Sequence, residues 1–444
     1  MAVEVVDLFE FTPINYQIGD KTKFDEDTKT LILTEKQMNA LEALNSKLNF
    51  LEITRKTLKP QNLVGVVAVE GLTLQILPKL LKTANYDELE KKKQILIGNL
   101  IKMLSVGGEI PVKPSEIANI DMERAPFLEV LITIYSTKLL EILKYHRYYR
   151  YRQIEEDLNH VKGQINFTRY AARWDRRHVV PIRHNERTMD NLLNRTLKYG
   201  AYLMARLTKS RDNYQRLKGI MAILEGVPVV QLTPYETYKI HFNRLNAVFK
   251  PLVELARIFI GSSTLKLQTG SIETFTFLLP MEKVFENFIA GILTSPEFRG
   301  VLGEWSGARI QSQHHIGTLL AEGQFGLIPD ITVETSRYRV ILDTKYKVLK
   351  REDRKLGVSQ GDLYQMYAYA THWNANAVVL LYPSITGEIK KTWHFNVPTT
   401  AGTRKVPLLI RTVDLSHDFL GKGWEVFLGD IRELIAEIFR SISE

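Results

Sequence analysis

The sequence predicts an α/β chain of several parts. A β-rich N-terminal domain covers residues 1–115, a helical middle region covers 116–265, and in a C-terminal domain over 275–444 a central mixed sheet is flanked by helices. Three observations carry that prediction. Short alternating apolar runs dominate the first part, and apolar residues then recur at helical spacing through the middle. In the last third, two β-rich runs, Leu327 to Ile331 and Val340 to Lys347, stand between two amphipathic helical patterns. The chain has 444 residues, enough for two or three domains with a sizeable core. Its 45% hydrophobic and 25% charged content excludes a disordered chain.

In the first part, Thr30-Leu31-Ile32-Leu33 reads as a strand, and Thr34 with Gln37 three residues on makes a capping-box signal for a helix through about Leu44. Val64 to Leu77 alternates around Glu70-Gly71, which predicts a β-hairpin ended by Pro78. A helix from about Tyr86 to Leu104 follows and stops at Gly107-Gly108. No catalytic constellation falls in this part; a β domain of this kind suits partner docking or nucleic-acid binding.

In the middle region, Phe127 opens a long helix expected to run into Lys144-Tyr145-His146-Arg147-Tyr148-Tyr149-Arg150-Tyr151-Arg152, where basic and aromatic residues interleave. Between Lys144 and Arg187, eleven Lys and Arg stand against five Asp and Glu, so this segment alone carries +6 of the net +9. Arg147, Arg150 and Arg152 are therefore candidate DNA- or partner-binding residues; the plainer alternative is a solvated helix face with locally packed tyrosines. Gly163 to Asn166 and Val180-Pro181 are read as helix breaks, Asn185 to Leu207 as an amphipathic helix, and Leu245 to Ile260 as a core helix. His178 and His184 lack a carboxylate at ligand spacing, which argues against a metal role. Gly261 to Thr264 and Gln268 to Ser271 form the best candidate linker.

The last part holds the chemistry. Met281, Val284, Phe285, Phe288 and Ile289 recur at helical spacing, with Glu282 and Glu286 along one edge of the stripe. Arg309 to His314 alternates as an edge or hairpin strand leading toward Asp330. His314 and His315 are candidates for contact with a reacting group, although such histidines more often line a strand. Pro329-Asp330 heads one strand, and Asp343-Thr344-Lys345 ends the next after the short connection Thr335-Ser336-Arg337. Alternation puts Asp343 and Lys345 on one face and Val340 and Leu342 on the other. Beyond them, Ser359 is a candidate N-cap for a helix that places Gln365 and Tyr369 one turn apart. Val378 to Tyr382 is a buried strand, and Trp424 to Ile442 a closing helix.

Two carboxylates hold a hard divalent cation through oxygen, and a neighbouring lysine orients or deprotonates an attacking water; phosphodiester hydrolysis needs these residue types together. Helix with glutamate, strands carrying Pro-Asp and Asp-x-Lys, then a helix with Gln-x-x-x-Tyr is the PD-(D/E)xK nuclease order. The bare motif is weak; the four parts in order are much more specific.

The composition agrees with such a role. A net charge of +9 and a sequence pI near 9.3 suit a polyanionic partner. The absence of cysteine excludes disulfides, zinc-thiolate sites and a cysteine nucleophile. The first residues are acidic where a signal peptide would be basic, and no apolar run approaches a membrane span, so a cytoplasmic protein is expected.

Pro329-Asp330 with Leu342 to Lys347 and Leu381-Tyr382-Pro383 resembles McrC, the nuclease subunit of McrBC modification-dependent restriction systems. Gly65-Val66-Val67, Ile76 to Lys79, Asn185-Glu186-Arg187, Asn191 to Arg195 and Phe242 to Asn246 fit the same family, so the resemblance spans most of the chain. It implies an endonuclease that uses Mg²⁺, with Mn²⁺ a possible substitute. It also implies docking on, and stimulation of, a McrB-like AAA+ GTPase hexamer that recognises double-stranded DNA with modified cytosine, with no membrane involved. The chain has no Gly-x-x-x-x-Gly-Lys-Ser/Thr loop, so it is not itself the P-loop motor and binds no nucleotide of its own. By motif position, the resemblance makes Asp330, Asp343 and Glu286 metal ligands, with the Thr344 carbonyl as a further one. Lys345 becomes the catalytic lysine, and Gln365 and Tyr369 supporting residues. Helical spacing alone allows Glu282 as well as Glu286. A second class of function stands beside this one: a regulatory subunit that docks on and activates a nucleotide-hydrolysing ring without cutting DNA.

Overall fold

A computed structural model describes residues 5–25, 28–79, 86–112, 125–172, 175–263, 274–384, 387–400 and 402–443. Its contacts divide the chain into two compact units, Met1–Phe127 with Leu267–Glu444, and Leu128–Lys266.

In the first unit, a five-stranded sheet runs in the order Lys23–Asp25, Thr30–Leu33, Ile14–Ile18, Thr57–Pro60, Leu51–Ile53. The helix Glu35–Leu48 starts on the expected capping box: Gln37 N–H donates to the Thr34 hydroxyl at 3.3 Å, and Thr34 N–H donates to Gln37 Oε1 at 3.1 Å. Leu41, Leu44, Phe50, Leu74 and Ile76 belong to one buried core that draws on this sheet, the helix and a second sheet. That second sheet orders Val5–Phe9, Leu72–Leu77, Leu63–Val69 and Thr274–Pro280. The predicted hairpin is its centre, with Val69 facing Leu72 across the turn. Its last strand comes from far along the sequence, so the unit joins residues that the sequence divides between the N-terminal domain and the edge of the C-terminal one. The physical reason is the hairpin's open edge: seven consecutive residues of Thr274–Pro280 satisfy it as an antiparallel partner.

That strand runs directly into the helix Met281–Thr294, whose first N–H, at Met281, donates to Asn62 O at 3.2 Å. The helix Tyr86–Gly107 packs against it, and Gly291 permits the close approach because a Cβ there would collide with the Val106 carbonyl. The C-terminal sheet is mixed and six-stranded, ordered Arg309–Ser312, Ile331–Glu334, Arg339–Thr344, Ala377–Ser384, Gly402–Asp414, Lys390–Thr399. Its third and fourth strands, and its fourth and fifth, pair in parallel, while the other pairs are antiparallel. Helices Gln360–His372 and Gly423–Ser443 complete the α/β arrangement. Ala377–Ser384 is buried along its whole length, as a central strand with two parallel neighbours must be.

The second unit is mainly helical, with helices Phe127–Tyr145, Leu192–Leu207, Arg211–Ile223 and Lys250–Ser263. Tyr135 donates its buried hydroxyl to Leu197 O at 2.7 Å, which ties the first two together. One expectation is overturned here. The first helix ends at Tyr145, and Arg150–Leu158 is a strand paired antiparallel with Val180–Thr188 over nine residues. The segments read as helix breaks are therefore strand: Gln164–Ile165 adds a short third strand, and Val180-Pro181 begins the second. Likewise Asn185 to Thr188 is strand, and the helix starts only at Leu192, where the Asn191 side chain accepts from Asn194 N–H at 3.1 Å. Part of the proposed linker, Gly261 to Ser263, lies in the last helix; Thr264 and Gln268 to Ser271 lie outside the described residues, as does the expected boundary at 115.

Candidate active site

Where the antiparallel pair Ile331–Glu334 and Arg339–Thr344 opens, two carboxylates meet. Asp330 sits one residue before the first strand, and its Oδ2 accepts from the Thr344 backbone N–H and from the Thr344 hydroxyl, both at 2.8 Å. Asp343 is 1% exposed, because alternation turns it, with Ile341, toward the side of the sheet covered by Gln360–His372. Leu342 faces the opposite side, toward Ile289 and Ile435. Lys345 Nζ stands 2.5 Å from Asp343 Oδ2 and donates to Gln365 Oε1 at 3.3 Å. Gln365 Nε2 in turn donates to the Tyr369 hydroxyl at 2.9 Å, and that hydroxyl donates to Ile328 O at 3.1 Å.

The helix carboxylate joins through a residue the sequence did not single out. Gln313 Nε2 bridges Glu286 Oε1 at 2.6 Å and Asp330 Oδ1 at 3.4 Å, and Lys283 Nζ reaches the same Glu286 oxygen at 2.7 Å. Glu282 is exposed on the same helix. Gln313 adopts φ +50°, a left-handed conformation rare for a residue with a Cβ, which aims its amide between the two acids. Nothing in the alternation of Arg309–Ser312 announces that turn. Asp362 was also overlooked, because an aspartate in the first turn after the N-cap Ser359 satisfies the helix dipole and looks structural. It stands among the charged neighbours of both Asp343 and Lys345, and Lys347 Nζ lies 3.6 Å from its Oδ2.

Burial, then the charge of Asp330, push the Asp343 carboxyl up to about 7, against the opposing pull of Lys345. Burial alone would lower the Lys345 ammonium, but Asp343, Asp330 and Asp362 outweigh it and hold the lysine above its usual value. Like charges held at this density suit a divalent cation. Among the described residues, the buried Asp362 Oδ2 and Tyr382 hydroxyl have no hydrogen-bond partner, so polar atoms that a hydrated cation would satisfy are present. Among the described residues, no three His, Asp or Glu side chains are gathered closely enough to hold a metal unaided. A donor set built on Asp330 and Asp343, with a backbone carbonyl and water completing it, is what these residues fit.

Glu286, Asp330 and Thr344 thus form one hydrogen-bonded set, and Asp343, Lys345, Gln365 and Tyr369 a second, joined to the first at the Asp343-Thr344 peptide and by the charge of Asp330 on Asp343. His314 does not join them: its Nδ1 lies 3.3 Å from the Thr332 hydroxyl and its ring meets Trp373 edge-on. Neither does His184, which is buried 3.5 Å from Glu156 in the second unit.

Behind the site, Tyr346 follows Lys345 and packs its ring against Phe285, the residue before Glu286, with centroids 6.2 Å apart. Its hydroxyl donates to Glu10 Oε2 at 3.3 Å, and the Lys79 N–H donates to the same oxygen at 3.2 Å. Glu10 has no exposed surface, and its Oε1 has no hydrogen-bond partner. Burial pushes its carboxyl up to about 7, against the lowering effect of those two donors.

In the second unit, Arg147 lies in the connection after the first helix, and Arg150 and Arg152 lie on the strand; all three are exposed. Arg150 and Arg152 share one face of the three-stranded sheet. The Arg187 guanidinium stacks over Tyr149 at 3.9 Å.

A family model described as McrBC 5-methylcytosine restriction system component matches residues 58–383. No curated protein sequence matches the chain. Among solved structures, the chain is similar to one in a refined half-complex from a tetradecameric assembly of Thermococcus gammatolerans McrB AAA+ hexamers with bound McrC. The TM-score is 0.72 at 20% identity, covering 98% of this chain and 100% of that one. A chain of the Thermococcus gammatolerans McrBC complex, solved by cryo-EM, gives a TM-score of 0.51 at 19% identity over 65% of this chain and 87% of that one. At these identities the likeness is one of fold.

Proposed function

The chain belongs to the McrBC 5-methylcytosine restriction system component family, and from that premise we propose that it is the DNA-cleaving subunit of a McrBC-like complex. It hydrolyses phosphodiesters in methylcytosine-containing DNA when assembled with a McrB-like AAA+ GTPase hexamer, whose hydrolysis it stimulates. The observation that carries this reading is the convergence of Glu286, Asp330, Asp343 and Lys345 at the end of a central strand, in two hydrogen-bonded sets that meet at Asp343-Thr344. The partner reading draws on the fold shared with a chain from an assembly of McrB hexamers with bound McrC.

Asp330 and Asp343 would hold Mg²⁺, with the Thr344 carbonyl and Glu286 completing or positioning the set. The metal, when bound, supplies Lewis acidity and a water acidic enough to attack near neutral pH. Lys345 is placed to orient an attacking water and to offset charge on the attacked phosphate, the task of a pre-placed cation. Gln365 fixes the ammonium, and Tyr369 fixes Gln365 against the Ile328 carbonyl. Thr344 and Gln313 hold the Asp330 carboxylate in a single orientation.

Asp343→Ala, assembled with the GTPase ring, GTP and Mg²⁺, is expected to lose cleavage of methylated DNA by about 10³-fold or more, since several kcal/mol of transition-state stabilisation go with the metal. Stimulation of the ring's GTP hydrolysis is expected to persist. Full cleavage by this variant refutes the site. Wild type that stimulates the ring but never cuts leaves the regulatory-subunit reading in its place.

A further inference from the structure

The Lys345 N–H still donates to Leu381 O at 2.9 Å, but after it the chain leaves the sheet. What holds the next residue is tertiary. Tyr346 touches Phe285 with its ring and Glu10 with its hydroxyl, so one side chain meets the helix that carries Glu286 and the end of the N-terminal strand Val5–Phe9. Glu10 is itself fixed from three sides: its N–H donates to Leu77 O at 3.1 Å, its Oε2 accepts from Lys79 N–H, and the following Phe11 N–H donates to Pro60 O at 2.9 Å. A carboxylate with no exposed surface is costly to bury on two neutral donors. Of its two side-chain donors, the Lys79 N–H belongs to the same sheet region, whereas the Tyr346 phenol belongs to the cleavage site.

We propose that Glu10 is a positioning residue for DNA cleavage, acting through the Tyr346 phenol to fix the backbone that presents Lys345. This rests on the nuclease reading above and adds to it a contribution from the N-terminal sheet, a part of the chain in which no catalytic motif occurs. Lys345 lies on a long, rotatable side chain, and the ammonium's place beside Asp343 depends on where its Cα stands. Glu10 and Tyr346 anchor that Cα from the side opposite Gln365, and Phe285 couples the same anchor to the helix of Glu286.

The test uses the complete complex with the GTPase ring, GTP, Mg²⁺ and a methylcytosine duplex, read as single-turnover cleavage rate and as the DNA concentration for half-maximal rate. Tyr346→Phe keeps the ring on Phe285 and removes only the hydroxyl; Glu10→Ala removes the acceptor. Each is expected to slow the cleavage rate about tenfold, the lower end of the range for groups that orient a catalytic ligand, with half-saturation by DNA and stimulation of GTP hydrolysis unchanged. The double variant is expected to be no slower than either single one, because both remove the same bond. Glu10→Gln, whose amide oxygen still accepts from the phenol, is expected to restore the wild-type rate. Asp343→Ala runs alongside: if it cuts normally, the nuclease site itself is misplaced. If it is inactive while Tyr346→Phe cuts at the wild-type rate, or the two single defects multiply, the positioning role is overturned and the site stands.

Discussion

Asp343 and Glu10 are both buried carboxyls pushed up to about 7, yet they face different surroundings. Asp343 has an ammonium 2.5 Å away and the charge of Asp330 beside it. At Glu10 burial outweighs the phenol, the backbone N–H and the charge of Lys79, so in the folded chain it keeps its proton well above the ordinary value of 4.5. The sign of the resulting pH dependence follows directly. Between about pH 4.5 and 7 the folded state binds more protons at Glu10 than the unfolded state does, so stability falls as pH rises through that window. Glu10→Gln removes the titration. Its stability relative to wild type is expected to be lowest near pH 4.5 and to rise by on the order of 3 kcal/mol by pH 7.5. Denaturant unfolding of both proteins across that range measures it, and parallel curves would contradict the assignment.

At the scale of elements, the helix Tyr86–Gly107 packs against Met281–Thr294, and one of its side chains also ties it to the backbone before the last helix. Buried Asn99 donates through Nδ2 to Leu415 O at 3.0 Å and His417 O at 2.7 Å, and its Oδ1 accepts from Phe419 N–H at 2.9 Å. Asn99→Ala strands two buried backbone groups and a half-buried one and is expected to cost about 2–4 kcal/mol, measured by denaturant unfolding; a loss under about 0.5 kcal/mol would show that water replaces the amide. No periodicity in the sequence distinguishes Asn99 from any polar residue of an amphipathic helix. What was legible is what neighbouring residues decide among themselves: the Thr34 and Gln37 capping box, the turn at Glu70-Gly71, the apolar stripe of Met281–Thr294, and the alternation that turns Asp343 inward. What was not legible depends on distant partners. Arg150–Leu158 has little apolar alternation of its own and is a strand because Val180–Thr188 pairs with it. The start of the next helix was misplaced because Asn185 to Arg187 carries helix-compatible residues, and only Asn191 caps it. At the site, the acids and the lysine were readable from their motif. Gln313 was not, since its role comes from a left-handed φ, and Glu10 was not, since more than three hundred residues separate it from the phenol it accepts from.

For the molecule as a whole, the acidic site around Asp343 and the basic segment lie in different compact units. Asp343→Ala alters only the first unit. Reversing charge at Arg147, Arg150 and Arg152 alters only the second, in a segment that supplies +6 of the net +9. These three side chains are exposed, and Arg150 bonds locally, through Nε to the Tyr148 hydroxyl at 3.2 Å. Their replacement by glutamate is therefore expected to shift folding stability by about 0.5 kcal/mol or less per site. A cluster that merely solvates a sheet would lose nothing more. A cluster that meets phosphate or an acidic partner surface would lose attraction that depends on ionic strength, because each neutralised charge releases counterions. The triple reversal is expected to weaken binding to the GTPase ring or to DNA by about tenfold or more near 0.1 M salt, with a shallower salt dependence than wild type. Titrations of both ligands at several salt concentrations decide it: affinities unchanged for ring and DNA alike return these arginines to the role of a solvated surface, and a loss confined to one of them names the surface the segment serves.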